Sequence, residues 1–346
     1  MHPPNSSAGE SFRKRLIATA KGSKGAKDMS REQAKAALNF LISTEAHPAQ
    51  IGAFLTAMRF KGARVEEMKG FLDAMEESAT LISPKVDLLL NCNGPYDGRK
   101  KALHLSLAAA LLTVAAGVPV VMHSNSGLPP KNGVTTGAVL EAMGIPAYQE
   151  PQQVAKNIEE KGFGHLHASL YLHGVERLKP IRQTLFYRSF LHACEVMLNP
   201  AGAGYSIIGA AHKGFLQRFA TAAGERGQQR VMAVQGLDGC DELPMQPVAV
   251  ADYHQGELSE YTLDPAEYGL ACQNHRPCVD PQTTAALIIS MFQGEQSSEI
   301  NPVLYNSGVR LYLCGKVERI SDGIELARDA LISGKAAQTI QALQAG

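Results

Sequence analysis

Four short segments gather residue types that do chemistry, each beside an apolar run. Residues 91–101 (NCNGPYDGRKK) form a glycine-bearing turn between a strand-like run and an Ala/Leu-rich stretch that opens near Ala102. Such a turn offers backbone N–H groups and the positive end of a helix dipole, and Arg99, Lys100 and Lys101 add charge suited to a phosphate. It is neither a dinucleotide fingerprint nor a Walker loop, and Pro95 removes a donor, so an ordinary turn with exposed cations stands as the other reading. Residues 122–133 (MHSNSGLPPKNG) place His123, Asn125 and Lys131 on a loop stiffened by two prolines, which suits recognition of a small polar ligand. Residues 236–243 (GLDGCDEL) set Asp241 and Glu242 side by side with Asp238 nearby. Hard oxygen ligands of this kind fit Mg²⁺ that keeps part of its shell for water and a phosphorylated substrate; a solvated acidic turn is the alternative. Within residues 182–200, Arg182 and Arg188 are predicted on a helix, where an arginine could clamp a carboxylate or pair with Glu176 or Glu195.

These segments need a frame. From residue 86 onward, short apolar runs at 86–92, 118–123, 205–211 and 230–236 alternate with helical stretches at 102–116, 134–143, 151–161 and 213–224. That alternation predicts βαβ units around a mainly parallel sheet, with ligands beyond the carboxyl ends of the strands. Ahead of it, Ser30 followed by Gln33 signals a capping box, and helices are expected from there, over 48–60 and over 65–80, broken at Lys61-Gly62. Residues 1–10 are expected to be a disordered tail. After Pro281 the pattern reads mainly as helix.

The chain has 346 residues, with 33 Lys and Arg against 33 Asp and Glu. Zero formal charge argues against a chain that holds nucleic acid by basicity along its whole length. A local patch is still open: eight basic residues lie between 11 and 35 against Asp28 and Glu32. No apolar run reaches the roughly 20 residues needed to cross a bilayer, and a cytoplasmic protein is expected. The six cysteines lack paired spacing and are expected to be reduced. Cys272 and Cys278 bracket His275 too widely for a convincing metal knuckle. His165, His167, His173 and His192 read as packing or capping residues.

The order of these features resembles the anthranilate phosphoribosyltransferase family of glycosyl transferases, over nearly the whole chain. Residues 50–62 (QIGAFLTAMRFKG) look like the helix that family uses to dimerise, and 115–120 (AAGVPV), 139–144 (VLEAMG), 198–201 (LNPA), 239–242 (GCDE) and 261–265 (YTLDP) fall in family order. The resemblance implies transfer of phosphoribose from phosphoribosyl pyrophosphate to an amine acceptor, anthranilate or a related aromatic acid, as in tryptophan biosynthesis. It implies Mg²⁺ at Asp241, Glu242 and Ser106. It implies substrate contacts from Gly94, Asp97, Gly98, Arg99, Lys101, Ser106, His123, Asn125, Lys131 and Arg182, the last toward the acceptor carboxylate. A small helical domain over 11–85, completed near 178–203, would join a large α/β domain over 86–177 and 204–346, and the helical domain would form a homodimer.

The chain also departs from the family. Where relatives carry GTGGDG, it has Gly94-Pro95-Tyr96-Asp97-Gly98-Arg99; NIST becomes His104-Leu105-Ser106-Leu107; and a family histidine falls on Leu172, one place from His173. This pattern looks like a divergent second branch that keeps the fold and dimer but alters the donor site. One lineage of that branch is associated with nucleic acid, so a non-catalytic nucleic-acid binder is the second expectation.

Overall fold

The computed structural model describes residues 6–22, 25–94, 96–270 and 277–345. Helices α1 (Ser7–Thr19), α2 (Arg31–Ile42), α3 (Pro48–Lys61) and α4 (Val65–Glu77) form the N-terminal bundle. The tail expected over 1–10 does not hold for residues 7–10, which open α1: Ser6 caps the helix by accepting from the Gly9 N–H, and Phe12 buries against Phe40 and Phe54. A cap and one buried aromatic anchor are enough to order a helix that the Ser- and Gly-rich composition disguises. The capping box at Ser30 and Gln33 is present, and Gly62 ends α3 at φ +76°.

The α/β part interleaves β1 (Leu90–Cys92), α5 (Leu105–Ala115), β2 (Val120–Ser124), α6 (Thr136–Ala142), α7 (Pro151–Lys161) and β3 (Phe163–His167). Then come α8 (Ala168–Tyr171), α9 (His173–Glu176), α10 (Lys179–Leu185) and α11 (Phe190–Met197), followed by β4 (Tyr205–Gly209), α12 (Leu216–Gly224) and β5 (Arg230–Val234). A hairpin of β6 (Val248–His254) and β7 (Glu257–Leu263) precedes α13 (Pro281–Phe292), α14 (Ile300–Leu313), α15 (Ile320–Ile332) and α16 (Lys335–Gln344). The strands form one sheet in the order β3-β2-β1-β4-β5-β6-β7, with β1 to β5 parallel and the hairpin antiparallel at one edge. The expected α/β class with a helical N-terminal domain is what the chain adopts.

The strands of the parallel part are buried on both faces, as their near-continuous apolar runs require. Val120, Met122, Met232 and Val234 face α5 and α14 to α16; Val121, Val231 and Ala233 face the opposite layer, which includes α7, α12 and the helical bundle. Helices α10 and α11 return to pack on α3 and α4. Strand order reverses between β1 and β4, so the crevice at their carboxyl ends is where an open sheet of this kind accommodates a ligand. No helix among the described residues is long and apolar enough to cross a membrane.

Candidate functional site

All four segments converge at that crevice. The loop after β1 docks on the loop after β2 as a small ladder: Arg99 N–H donates to the Val134 carbonyl at 2.8 Å, Val134 N–H returns to Arg99 at 2.9 Å, and Gly133 N–H donates to the Asp97 carbonyl at 2.9 Å. Gly98 sits at φ +75°, and a Cβ there would run into the Gly133 backbone. This glycine lets two backbones meet; it does not leave an open cradle for a phosphate, as the sequence suggested. The N–H groups of Lys100 and Lys101 donate to Asp238 Oδ2 at 3.3 and 3.0 Å, while both side chains stay exposed. Gly94 is buried beside His104.

The acidic pair lies at the foot of this loop, fully enclosed. Ser106 Oγ donates to Asp241 Oδ1 at 2.6 Å, and Arg310 Nη2 donates to Asp241 Oδ2 at 2.7 Å. Arg99 Nη1 donates to Glu242. Asp241 and both arginines are 0% exposed, and Glu242 is 1% exposed. Burial works against the Arg310 charge, but Asp241 and Cys92 outweigh it and raise its pKa. The donor set therefore does not fit Mg²⁺ as arranged: both Asp241 oxygens already accept, and a guanidinium covers Glu242. Among the described residues, no three His, Cys, Asp or Glu side chains gather into a metal-holding group. The segment around Cys272 and His275 lies outside the described residues; the described cysteines are free and buried.

Asp97 is bound bidentately by Arg188, at 2.8 Å through both Nε and Nη2, with Lys131 Nζ at 3.4 Å. Arg188 sits in the connection between α10 and α11, not on a helix as expected. Lys131 also donates to the Asp238 carbonyl at 3.1 Å, and burial lowers its pKa. His123 Nε2 lies 2.7 Å from Asn93 Nδ2 and 3.0 Å from the Leu198 carbonyl, and its Nδ1 shares a hydrogen bond with the Tyr96 hydroxyl, which lies 2.6 Å from that of Tyr171. Burial drives His123 down to about 3, so it is neutral near pH 7.

Two expected ligand residues stand apart from this network. Asn125 donates to Glu176 and accepts from Lys179 Nζ at 2.9 Å. Arg182 on α10 grips Glu195 through Nη1 and Nη2 at 2.5 and 2.7 Å, the structural pairing that the sequence left open. His165 and His192 bond to the Ala147 and Pro129 carbonyls, and His167 caps α8. The basic stretch over 11–35 thins on folding, because Arg13 pairs with Glu10, Arg31 with Asp73 and Lys35 with Glu77. Sequence reasoning missed Arg310, although a lone arginine inside VLYNSGVRLYL is the kind of charge that an apolar helix carries only with a partner.

Comparison with known proteins fits this geometry. Residues 97–337 match the glycosyl transferase family α/β domain, and residues 16–79 match its helical bundle domain. Anthranilate phosphoribosyltransferase of Methylobacterium radiotolerans is 30% identical over 339 residues, covering 96% of each chain. The enzyme of Methanosarcina barkeri is 34% identical, over 89% of this chain and 84% of its own. The crystal structure of the Thermus thermophilus enzyme superimposes with a TM-score of 0.83 at 27% identity, over 97% of this chain and 98% of that one. The Saccharomyces cerevisiae enzyme in complex with PRPP and Mg shares the fold, with a TM-score of 0.80 at 19% identity and 97% coverage of both chains. The chain belongs to the anthranilate phosphoribosyltransferase family of glycosyl transferases.

Proposed function

We propose that this chain transfers phosphoribose from phosphoribosyl pyrophosphate to an aromatic amine acceptor, anthranilate or a related acid, through a remodelled donor site. The observation that carries this reading is the meeting of the loops after β1, β2 and β5 at the switch point of the sheet, which brings Arg99, Ser106, Lys131, Asp241 and Glu242 into one network. Relatives at 30–34% identity over most of their length carry the same enzyme name.

In the transfer, the acceptor nitrogen forms a bond to ribose C1, the bond from C1 to the pyrophosphate oxygen breaks, and the amine gives up a proton. Nothing in that step demands a protein nucleophile; it demands alignment and charge balance at the departing pyrophosphate. We assign the charge balance to Lys100, Lys101 and Lys131, with Arg99 Nε and Nη2, which have no hydrogen-bond partner among the described residues, beside them, and the positioning of the ribosyl side to Gly94 and His123. Asp97, Gly98 and Arg182 act by holding the loops: Asp97 through Arg188, Gly98 through its contact with Gly133, and Arg182 through Glu195. The Mg²⁺ implied by the resemblance finds no open carboxylate at Asp241 and Glu242. We further propose a homodimer through the helical domain, because Phe60 on α3 and Phe186, at the end of the neighbouring α10, are 78% and 77% exposed. Free buried thiols support a cytoplasmic setting.

Anthranilate fluorescence tests the reading: it should fall only when phosphoribosyl pyrophosphate is present, and a flat trace across aromatic amines would overturn it. Tyr96 in place of a family glycine and the exposed Lys100 and Lys101 favour a second reading, a nucleic-acid binder without transfer. Flat fluorescence together with oligonucleotide binding that weakens steeply with salt would select it.

A further inference from the structure

Both carboxylates of the acidic pair already have arginine partners within the chain. Two carboxylates, Asp241 and Glu242, face two guanidinium groups, Arg310 and Arg99, and all four side chains are at most 1% exposed; a third carboxylate, Asp238, lies 4.0 Å from Arg99 Nε. Asp241 has one oxygen on Ser106 Oγ and the other on Arg310 Nη2. Arg310 is itself fixed: it rises from α14, and its Nη1 donates to the Asn306 carbonyl at 2.9 Å and lies 3.2 Å from Asn306 Oδ1. Asn306 in turn accepts from the Leu243 N–H at 2.8 Å, so the arginine and the acidic loop are braced by one side chain. A divalent cation at Asp241 and Glu242 would have to enter a site closed to water and expel a buried arginine from the carboxylates that hold it. That is costly.

We infer that Arg310 and Arg99 stand permanently in the place of a divalent cation at Asp241 and Glu242, making this acidic pair a pair of structural ion contacts that does not bind metal. The inference deepens the transferase reading and rests on it for the identity of the site.

The probe is Mn²⁺ alone, titrated into the full chain and followed by the electron paramagnetic resonance signal of the free ion. The expected result is no loss of free signal with the intact protein. One equivalent withdrawn by the intact chain and released in Asp241→Asn would overturn the inference. Arg310→Met supplies the second arm: folded by its thermal melt, it should withdraw Mn²⁺ that the intact chain leaves free, and a folded variant with no such gain would also overturn it. Should that variant fail to fold, the titration of the intact chain decides alone. None of these readings uses turnover, so failure here and failure of the transferase assay are separate results.

Discussion

Two buried arginine–carboxylate centres, one in each part of the molecule, behave differently. Arg182 and Glu195 meet in the helical part as a two-point fork, 13 residues apart in sequence, with His192 alongside. Arg99 and Glu242 meet through one nitrogen across 143 residues of chain, and among the described residues Arg99 Nε and Nη2 have no hydrogen-bond partner. The first pair engages both Nη atoms in fixing α10 against α11, and only the Arg182 Nε is left without a hydrogen-bond partner among the described residues. The second keeps donor groups in hand at the carboxyl ends of β1 and β5. A buried arginine near a ligand crevice is thus not evidence for a ligand contact until its own partners have been counted.

The largest effect should come from breaking the forked pair. Glu195→Ala leaves the Arg182 charge buried without its partner and should cost about 3–5 kcal/mol of unfolding free energy in urea, while Arg182→Met with Glu195→Leu should recover most of it. A single variant of near-normal stability would erase the contrast. Next, the guanidinium of Arg99 should matter to ligand affinity. In a Glu242→Gln background, Arg99→Met should weaken phosphoribosyl pyrophosphate binding by about 10- to 100-fold, the worth of one charge-assisted hydrogen bond. Equal calorimetric affinities with and without Arg99 would make the two centres alike.

Smaller effects probe the frame around them. Gly98→Ala puts a side chain at positive φ against Gly133 and should cost about 1–3 kcal/mol, seen as a lower melting temperature. Acid should weaken the crevice through His123. Its folded pKa of about 3 lies below the ordinary 6.5, so the unfolded chain binds the extra proton between those values. The stability it contributes is present above pH 6.5 and is lost as the pH falls toward 3, at about 1.4 kcal/mol per unit. His123→Asn should flatten the pH dependence of unfolding by one proton in that window; an unchanged slope would show that His123 is not held neutral.

What the sequence made legible was local. The Ser30–Gln33 cap, the apolar spacing of α2 and the four strand-like runs each lie within a dozen residues, and all appear where expected. Strand β3 was harder, since FGHLH carries two histidines and only two large apolar residues. The β6–β7 hairpin was also missed: Gln255 and Gly256, both at positive φ, mark its turn, but Glu257 and Glu260 on an exposed edge strand blur the alternation. Among the site residues, Asp241, Glu242 and Ser106 were found as positions but not as partners. Arg310 lies 69 residues from Asp241, and Arg99 lies 143 from Glu242. Only the packing of α14 and the docking of the first loop on the second bring those charges together, and no local pattern encodes that.

The most direct test of a self-balanced donor site is calorimetric titration of phosphoribosyl pyrophosphate into the intact protein, once in EDTA and once in Mg²⁺. The account predicts binding in both buffers, with affinities within about threefold of each other. Binding in Mg²⁺ that vanishes in EDTA would contradict it.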